Sequence, residues 1–167
     1  ANITDSGLKH LQDLDRLEDL RLCRTKLRGD GLKHLARLTK LTWLDLSHTQ
    51  VGDSGLVHLK HLKALEWLNL SSTKISDTGT RQLASLTNLT DLSVRRTAFT
   101  GAGFSTFQKL PHFFSLDAEH TKLDDAGLAE ISKSKNLSSI LLGGTRVTPA
   151  GLKSFRKALP DCHVVVT

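Results

Sequence analysis

The stretch QVGDSGLVHLKHLKALEWLNLSST, Gln50 to Thr73, is a template that the rest of the chain repeats. Steps of 24 residues in either direction from it land on the same marks. Gly stands at 7, 31, 55, 79, 103, 127 and 151, and Thr at 25, 49, 73, 97, 121 and 145. Leu20, Leu44, Leu68, Leu92, Leu116 and Ile140 keep the same step. A constant period of this length marks a repeat architecture, in which each unit hides its apolar edge against the next. The units run 2–25, 26–49, 50–73, 74–97, 98–121 and 122–145, with a shorter terminal one at 146–167. No linker or low-complexity segment separates them, so the whole of 1–167 reads as a single domain.

Each unit changes period halfway. Its first half spaces apolar residues three apart, as in Leu8, Leu11 and Leu14, which predicts a short helix. Thr4, Ser76, Thr100, Asp124 and Thr148 occupy the N-cap position, where a side-chain oxygen accepts from an orphan amide. Asp5, Asp53, Asp77 and Asp125 follow and set negative charge against the positive end of the helix dipole. Pro149 takes that place in the last unit, where a first helical turn suits it. The second half, as in Trp43-Leu44-Asp45-Leu46-Ser47, alternates with period two and predicts a strand with Leu inward. Strand, turn and helix in endless order require the strands to stack in parallel. The Thr column is expected to be buried where the strand ends, its hydroxyls bonded to the turn and to the next unit as a polar ladder. The Gly column is expected where the helix closely approaches the core and any side chain would push adjacent units apart.

Composition agrees with one packing solution used many times. Apolar residues make up 38% of the 167, yet aromatics only 5%, with no Met and no Tyr, so Leu carries the core. No run of 18 or more apolar residues is present to span a membrane. Ala1-Asn2-Ile3-Thr4-Asp5 does not read as a signal peptide, and the chain starts inside a first repeat, which leaves room for residues upstream.

The pattern Leu38, Leu41, Leu44, Leu46, Thr49 resembles LxxLxxLxL followed by the polar ladder position of the leucine-rich-repeat superfamily. The half-repeat ITDSGLKHL at 3–11, Thr in the ladder position and the ending ALPDCHVVV at 158–166 are similar to the bacterial, planctomycete-like 24-residue type. The cysteine-containing repeats of eukaryotic ubiquitin-ligase adaptors are a more distant likeness, since Thr stands here in place of their Cys. The resemblance implies a right-handed α/β solenoid, a horseshoe with its parallel sheet on the concave face and short helices on the convex face. It also implies protein–protein interaction, with no catalytic residues to carry over. Departures gather late in the chain. Phe99, Phe104, Phe107, Phe113 and Ala118 replace the usual aliphatics of the fifth unit, so that large and small compensate. Ser134 sits in a Leu slot, and Gly143-Gly144 follows the sixth strand, so looser packing is expected there.

Alternation assigns the outward strand positions. They are Asp19, Arg21, Cys23, then Trp43, Asp45, Ser47, then Trp67, Asn69, Ser71, and onward through Asp91, Ser93, Arg95, Ser115, Asp117, Glu119, Ser139, Leu141 and Gly143. Trp43 and Trp67 are one repeat apart and therefore about 5 Å apart on neighbouring strands. An exposed sheet face has little structural need for Trp, and Trp is enriched where partners bind. The expected contact surface is Trp43, Asp45, Trp67, Asn69, Asp91, Arg95, Asp117 and Glu119. Five acids against two bases give this face a net of −3, and the chain's total of +6 leaves +9 elsewhere. The expected partner is thus another protein with a basic patch; no nucleic acid and no membrane is expected. Lys9, Lys33, Lys60, Arg81, Lys133, Lys153, Arg156 and Lys157 fall on the helix side as a solvated surface without interleaved aromatics to stack bases.

Other residue types do not assemble into chemistry. His10, His34 and His58 form a column, but neighbouring helices about 8–10 Å apart cannot gather three imidazoles on one zinc. Asp45, Ser47 and His48 match a triad by type, yet adjacent strand residues face opposite ways. No phosphate-binding Gly-rich loop is present. Neither a catalytic nor a metal site is expected, and no cofactor. Cys23 and Cys162 belong to the first and last units, too far apart for a disulfide. Four N-x-S/T strings, at Asn2, Asn69, Asn88 and Asn136, are read as incidental to the repeat, and the compartment stays open. Val164 and Val166 are expected to face the core and close the far end. The strand around Asp19–Cys23 has no upstream neighbour, an edge through which weak self-association would run. The reading is a non-enzymatic binding module, with the substrate-recognition arm of a larger enzyme as the alternative.

Overall fold

The computed structural model describes residues 3–166. Asn2 and Thr167, which bound the first and last units, and the sequon at Asn2 lie outside the described residues. Seven three-residue strands form one parallel sheet in sequence order: β1 Asp19–Arg21, β2 Trp43–Asp45, β3 Trp67–Asn69, β4 Asp91–Ser93, β5 Ser115–Asp117, β6 Ser139–Leu141 and β7 His163–Val165. Register follows the 24-residue step, so Leu44 pairs with Leu68 and Leu68 with Leu92. Inward residues such as Leu44, Leu46, Leu68 and Leu70 are fully buried. The sheet lines the concave face, and the helices return on the convex one.

Backbone pairing outlasts the strands. The amides of Arg24, His48, Ser72, Arg96 and His120 still donate to the next unit, to Ser47, Ser71, Arg95, Glu119 and Gly143. These five residues then turn left-handed, with φ near 55°, and in the sixth unit Gly144 takes the same turn. Thr comes next. Thr25, Thr49, Thr73, Thr97 and Thr121 are buried, and Thr145 half-buried. Each hydroxyl donates to the carbonyl three residues back, at 2.6–2.7 Å. The hydroxyls of Thr49, Thr97 and Thr121 also accept, at 3.4 Å, from the amides of Val51, Phe99 and Leu123 at the head of the next unit. Each hydroxyl thus bonds backbone two or three residues away along the chain and not another Thr, so the column is a stack of turn caps. Past it a second backbone column resumes, with Lys26 donating to Ile3, Gln50 to Leu27 and Lys74 to Val51.

The helices differ from unit to unit. Among the described residues four are α-helical: α1 Asp53–Leu56, α2 Asp77–Gln82, α3 Asp125–Ile131 and α4 Pro149–Ala158. The turns at Asp5–Leu11, Asp30–Leu35 and Phe104–Lys109 are 3-10 throughout. Ser76, Asp124 and Thr148 cap as expected, accepting from Thr78, Gly127 and Gly151. Thr4 caps no amide and meets only the Ser6 hydroxyl. Thr100 is not a helix cap, because Gly101 and Gly103 at φ 87° and 77° delay the helix to Phe104.

The Asp column does more than oppose a dipole. Asp5 accepts from the amides of Arg28, Gly29 and Gly31 in the next unit. Asp53 holds the amide and hydroxyl of Ser76, Asp77 those of Thr100, and Asp125 those of Thr148. Burial works against the Asp5 carboxylate, but its three cross-unit amides outweigh it and hold the pKa below the usual value. The Thr148 hydroxyl and amide lower that of Asp125. These clasps explain Gly31, Gly79 and Gly151, and across the column a side chain would push adjacent units apart, as expected, because the close approach is to the preceding unit. A Cβ on Gly79 would strike the Asp53 carboxylate, and one on Gly151 that of Asp125. Gly7, with no unit before it in the described chain, would meet only Ile3 at 3.9 Å.

The fifth unit fills its share of the core with rings. Phe104 and Phe107 stack at 4.3 Å, and Phe99 and Phe113 pack edge-on against them. Ala118, fully buried, is the small residue in this unit's inner strand position. Ser134 is buried with its hydroxyl unpartnered. At the far end Val164 pairs with Ile140 and is half-buried, whereas Val166 is 52% exposed. The expectation for Val166 fails because β7 stops at Val165 and Val166 lies beyond the paired strand.

Candidate binding face

Outward side chains of β2 to β5 meet across the sheet in columns set by register. Trp43 and Trp67 are register partners. Their rings stack at 4.1 Å between centroids and 3° between planes, closer than the strand spacing. The Arg21 guanidinium lies over Trp43 at 4.7 Å, held by Asp19 at 3.2 Å. Sequence reasoning put Arg21 on this face but left it out of the contact set. Its place one strand before Trp43 was the available signal.

Beyond Trp67 the sheet sinks into a depression of about 420 Å³, lined by Asn69, Asp91, Ser93, Arg95 and Asp117 among others. Five of the eight expected contact residues thus come together: Trp67, Asn69, Asp91, Arg95 and Asp117. Glu119 adjoins them through its ion pair with Arg95. Trp43 stands behind Trp67, and Asp45 lies apart, accepting from the Ser47 amide at 2.8 Å. Asn69 and Asp117 do the same for the amides of Ser71 and Glu119, so these three side chains also shape the strand ends.

A hydrogen-bonded chain crosses the floor. The single Ser71 proton is shared between Asn69 Oδ1 at 2.6 Å and the Ser93 hydroxyl at 2.7 Å, and Ser93 donates to Asp117 Oδ2. Burial raises the Asp117 pKa, against the opposing pull of Ser93, Arg95 and His120. Alternation places the serines outward but does not reveal the network, because a two-residue period says nothing about side-chain rotation.

The remaining candidates stay apart. Ser47 is buried and offers Asp45 its amide, while His48 is exposed. Among the described residues no three His, Cys, Asp or Glu side chains are placed to hold a metal ion. Cys23 and Cys162 are free thiols beside β1 and β7, at opposite ends of the sheet, and burial pushes Cys162 up to about 11. The eight basic residues named for the helix side are all exposed. Among the described residues no helix is long and apolar enough to cross a membrane.

One strand and one helical turn per 24 residues, stacked on a Leu core, define a leucine-rich-repeat solenoid. Residues 37–60 match the family model described as Leucine Rich repeat. No curated protein matches the chain by sequence. Among solved structures, internalin C2 of Listeria monocytogenes matches over all of this chain and 70% of its own, at 22% identity and TM-score 0.76. A leucine-rich-repeat protein of Leptospira interrogans matches over 92% of this chain and 38% of its own, at 25% identity and TM-score 0.77. Internalin F of Listeria monocytogenes matches over 94% and 49%, at 20% identity and TM-score 0.67. The chain therefore spans less than half of the latter two, and all three come from bacteria.

Proposed function

We propose that this chain is a non-enzymatic protein-binding module of bacterial type that takes its partner on the concave sheet. The observation that carries the reading is the stacked Trp43–Trp67 pair standing on the sheet face beside a depression richer in acids than in bases. Leucine-rich-repeat solenoids present extended concave surfaces for binding. A rigid array loses little entropy on association, two Trp supply apolar area, and the charges beside them select among partners. The acidic net favours a protein with a basic patch over nucleic acid. The same face would serve as the recognition arm of a larger protein, a reading favoured by the greater length of the structural relatives.

Affinity capture from lysate of the source cell tests this. The Trp43→Ala/Trp67→Ala variant should keep its fold by circular dichroism and bind the captured partner weaker by about 2 kcal/mol or more. Binding that survives there but is lost on neutralising Lys33, Lys60 and Arg81 would move the working surface to the convex side.

A further inference from the structure

The tryptophan stack has two outer faces, and the chain treats them differently. Trp43's outer face is covered by the chain's own Arg21, whose charge Asp19 holds. Trp67's outer face turns toward β4, its other neighbour in the sheet, since Trp43 covers the first. There it walls the depression, with Asp91 as register partner and Asp117 one strand further on. Among the described residues no cation lies over that face, and neither Asp91 nor Asp117 is in an ion pair. The Arg95 that lines the depression is taken by Glu119. Asp91 accepts only from Thr90, which leaves carboxylate lone pairs free.

We propose that this end of the stack receives an arginine side chain of the bound protein, its guanidinium lying flat on Trp67 and hydrogen-bonded to Asp91, with Asp117 supplying the second negative charge. The occupant would reproduce on Trp67 what Asp19 and Arg21 already make on Trp43. Arginine suits the place better than lysine, because a planar, weakly hydrated guanidinium stacks on an indole while its fork binds a carboxylate. A neutral sugar ring would use the Trp face but leave both carboxylates without a counter-charge. A nucleic acid would bring phosphates against them. The inference rests on the concave-face reading and adds to it the chemistry of the central contact.

The test is an NMR titration of the full chain with acetyl-Gly-Arg-Gly-amide, reading the two indole N–H signals, assigned through Trp43→Phe and Trp67→Phe. The Trp67 signal should shift saturably and the Trp43 signal little. Replacing arginine by citrulline, nearly isosteric and uncharged, should weaken binding about tenfold or more, and Asp91→Asn should do the same to the arginine peptide. A Trp67 signal that does not move, or an equal response to citrulline, overturns the proposal, and both are read on the unmutated chain once the two signals are assigned. If the peptide fails while capture of the partner remains Trp-dependent, the arginine receptor falls and the concave-face reading stands. If both fail, both fall.

Discussion

The hydroxyl of Thr73 has one partner, the Leu70 carbonyl at 2.6 Å, and almost no access to water. Thr73→Val keeps the shape but strands that carbonyl lone pair, so chemical denaturation should report a loss of about 1–2 kcal/mol. An unchanged midpoint would mean the bond contributes nothing net. The position and burial of the Thr column could be read from the 24-residue step alone. Bonds to the turn and to the head of the next unit could be expected as well, but not which carbonyl accepts, because that depends on the left-handed residue before the Thr. Arg24, His48, Ser72, Arg96 and His120 share no residue type that would announce a positive φ. Only Gly144 carries the usual sign. The aromatic pair was more legible: placing Trp43 beside Trp67 needed only register, though register gives the strand spacing and not the tighter 4.1 Å contact.

Between elements the cross-unit carboxylates carry more than local reading assigned to them. A helix-dipole argument looks within one turn, whereas Asp77 reaches the amides of Thr100 and Gly101, 23 and 24 residues away. Asp77→Ala should therefore destabilise the fold by about 2 kcal/mol, beyond the few tenths of an exposed dipole contact. Equilibrium unfolding of that variant beside Thr78→Ala, one position along the same helix, checks it. The signal lay in the sequence as an Asp followed 26 residues later by a Gly, a pairing legible only once the stacking distance is known. Where Asp gives way to Gly29 or Gly101, the backbones themselves close up, on Gly55 and Gly127. At the open side of the sheet, β1 pairs only with β2 among the described residues. Any self-association should use that edge. Sedimentation of an Arg21→Pro variant, which removes an amide that faces the open edge and not β2, should then show monomer, and a persisting dimer would rule the edge out.

For the molecule as a whole, acid should unfold what the clasps hold. Asp5 and Asp125 sit below the ordinary carboxylate pKa in the folded state. Their contribution is complete above the unfolded value near 4 and disappears as pH falls through the depressed native values. Asp117 runs the other way: its raised pKa means that folding is disfavoured as pH climbs through the carboxylate range. Melting midpoints from about pH 2 to 6 should rise in the native chain, rise less in Asp5→Asn/Asp125→Asn, and rise more in Asp117→Asn. The parallel pairing of neighbouring strands also sets how the chain answers a pull on its ends. Each three-residue strand is bonded only to its neighbours, so no lateral clamp spans the stack. Tension peels the terminal unit first and loads the next one afresh. Extension then proceeds as a train of small, similar steps, each freeing 24 residues or about 80 Å of chain. Such a solenoid behaves under load less like a bolt that shears than like a spring that pays out.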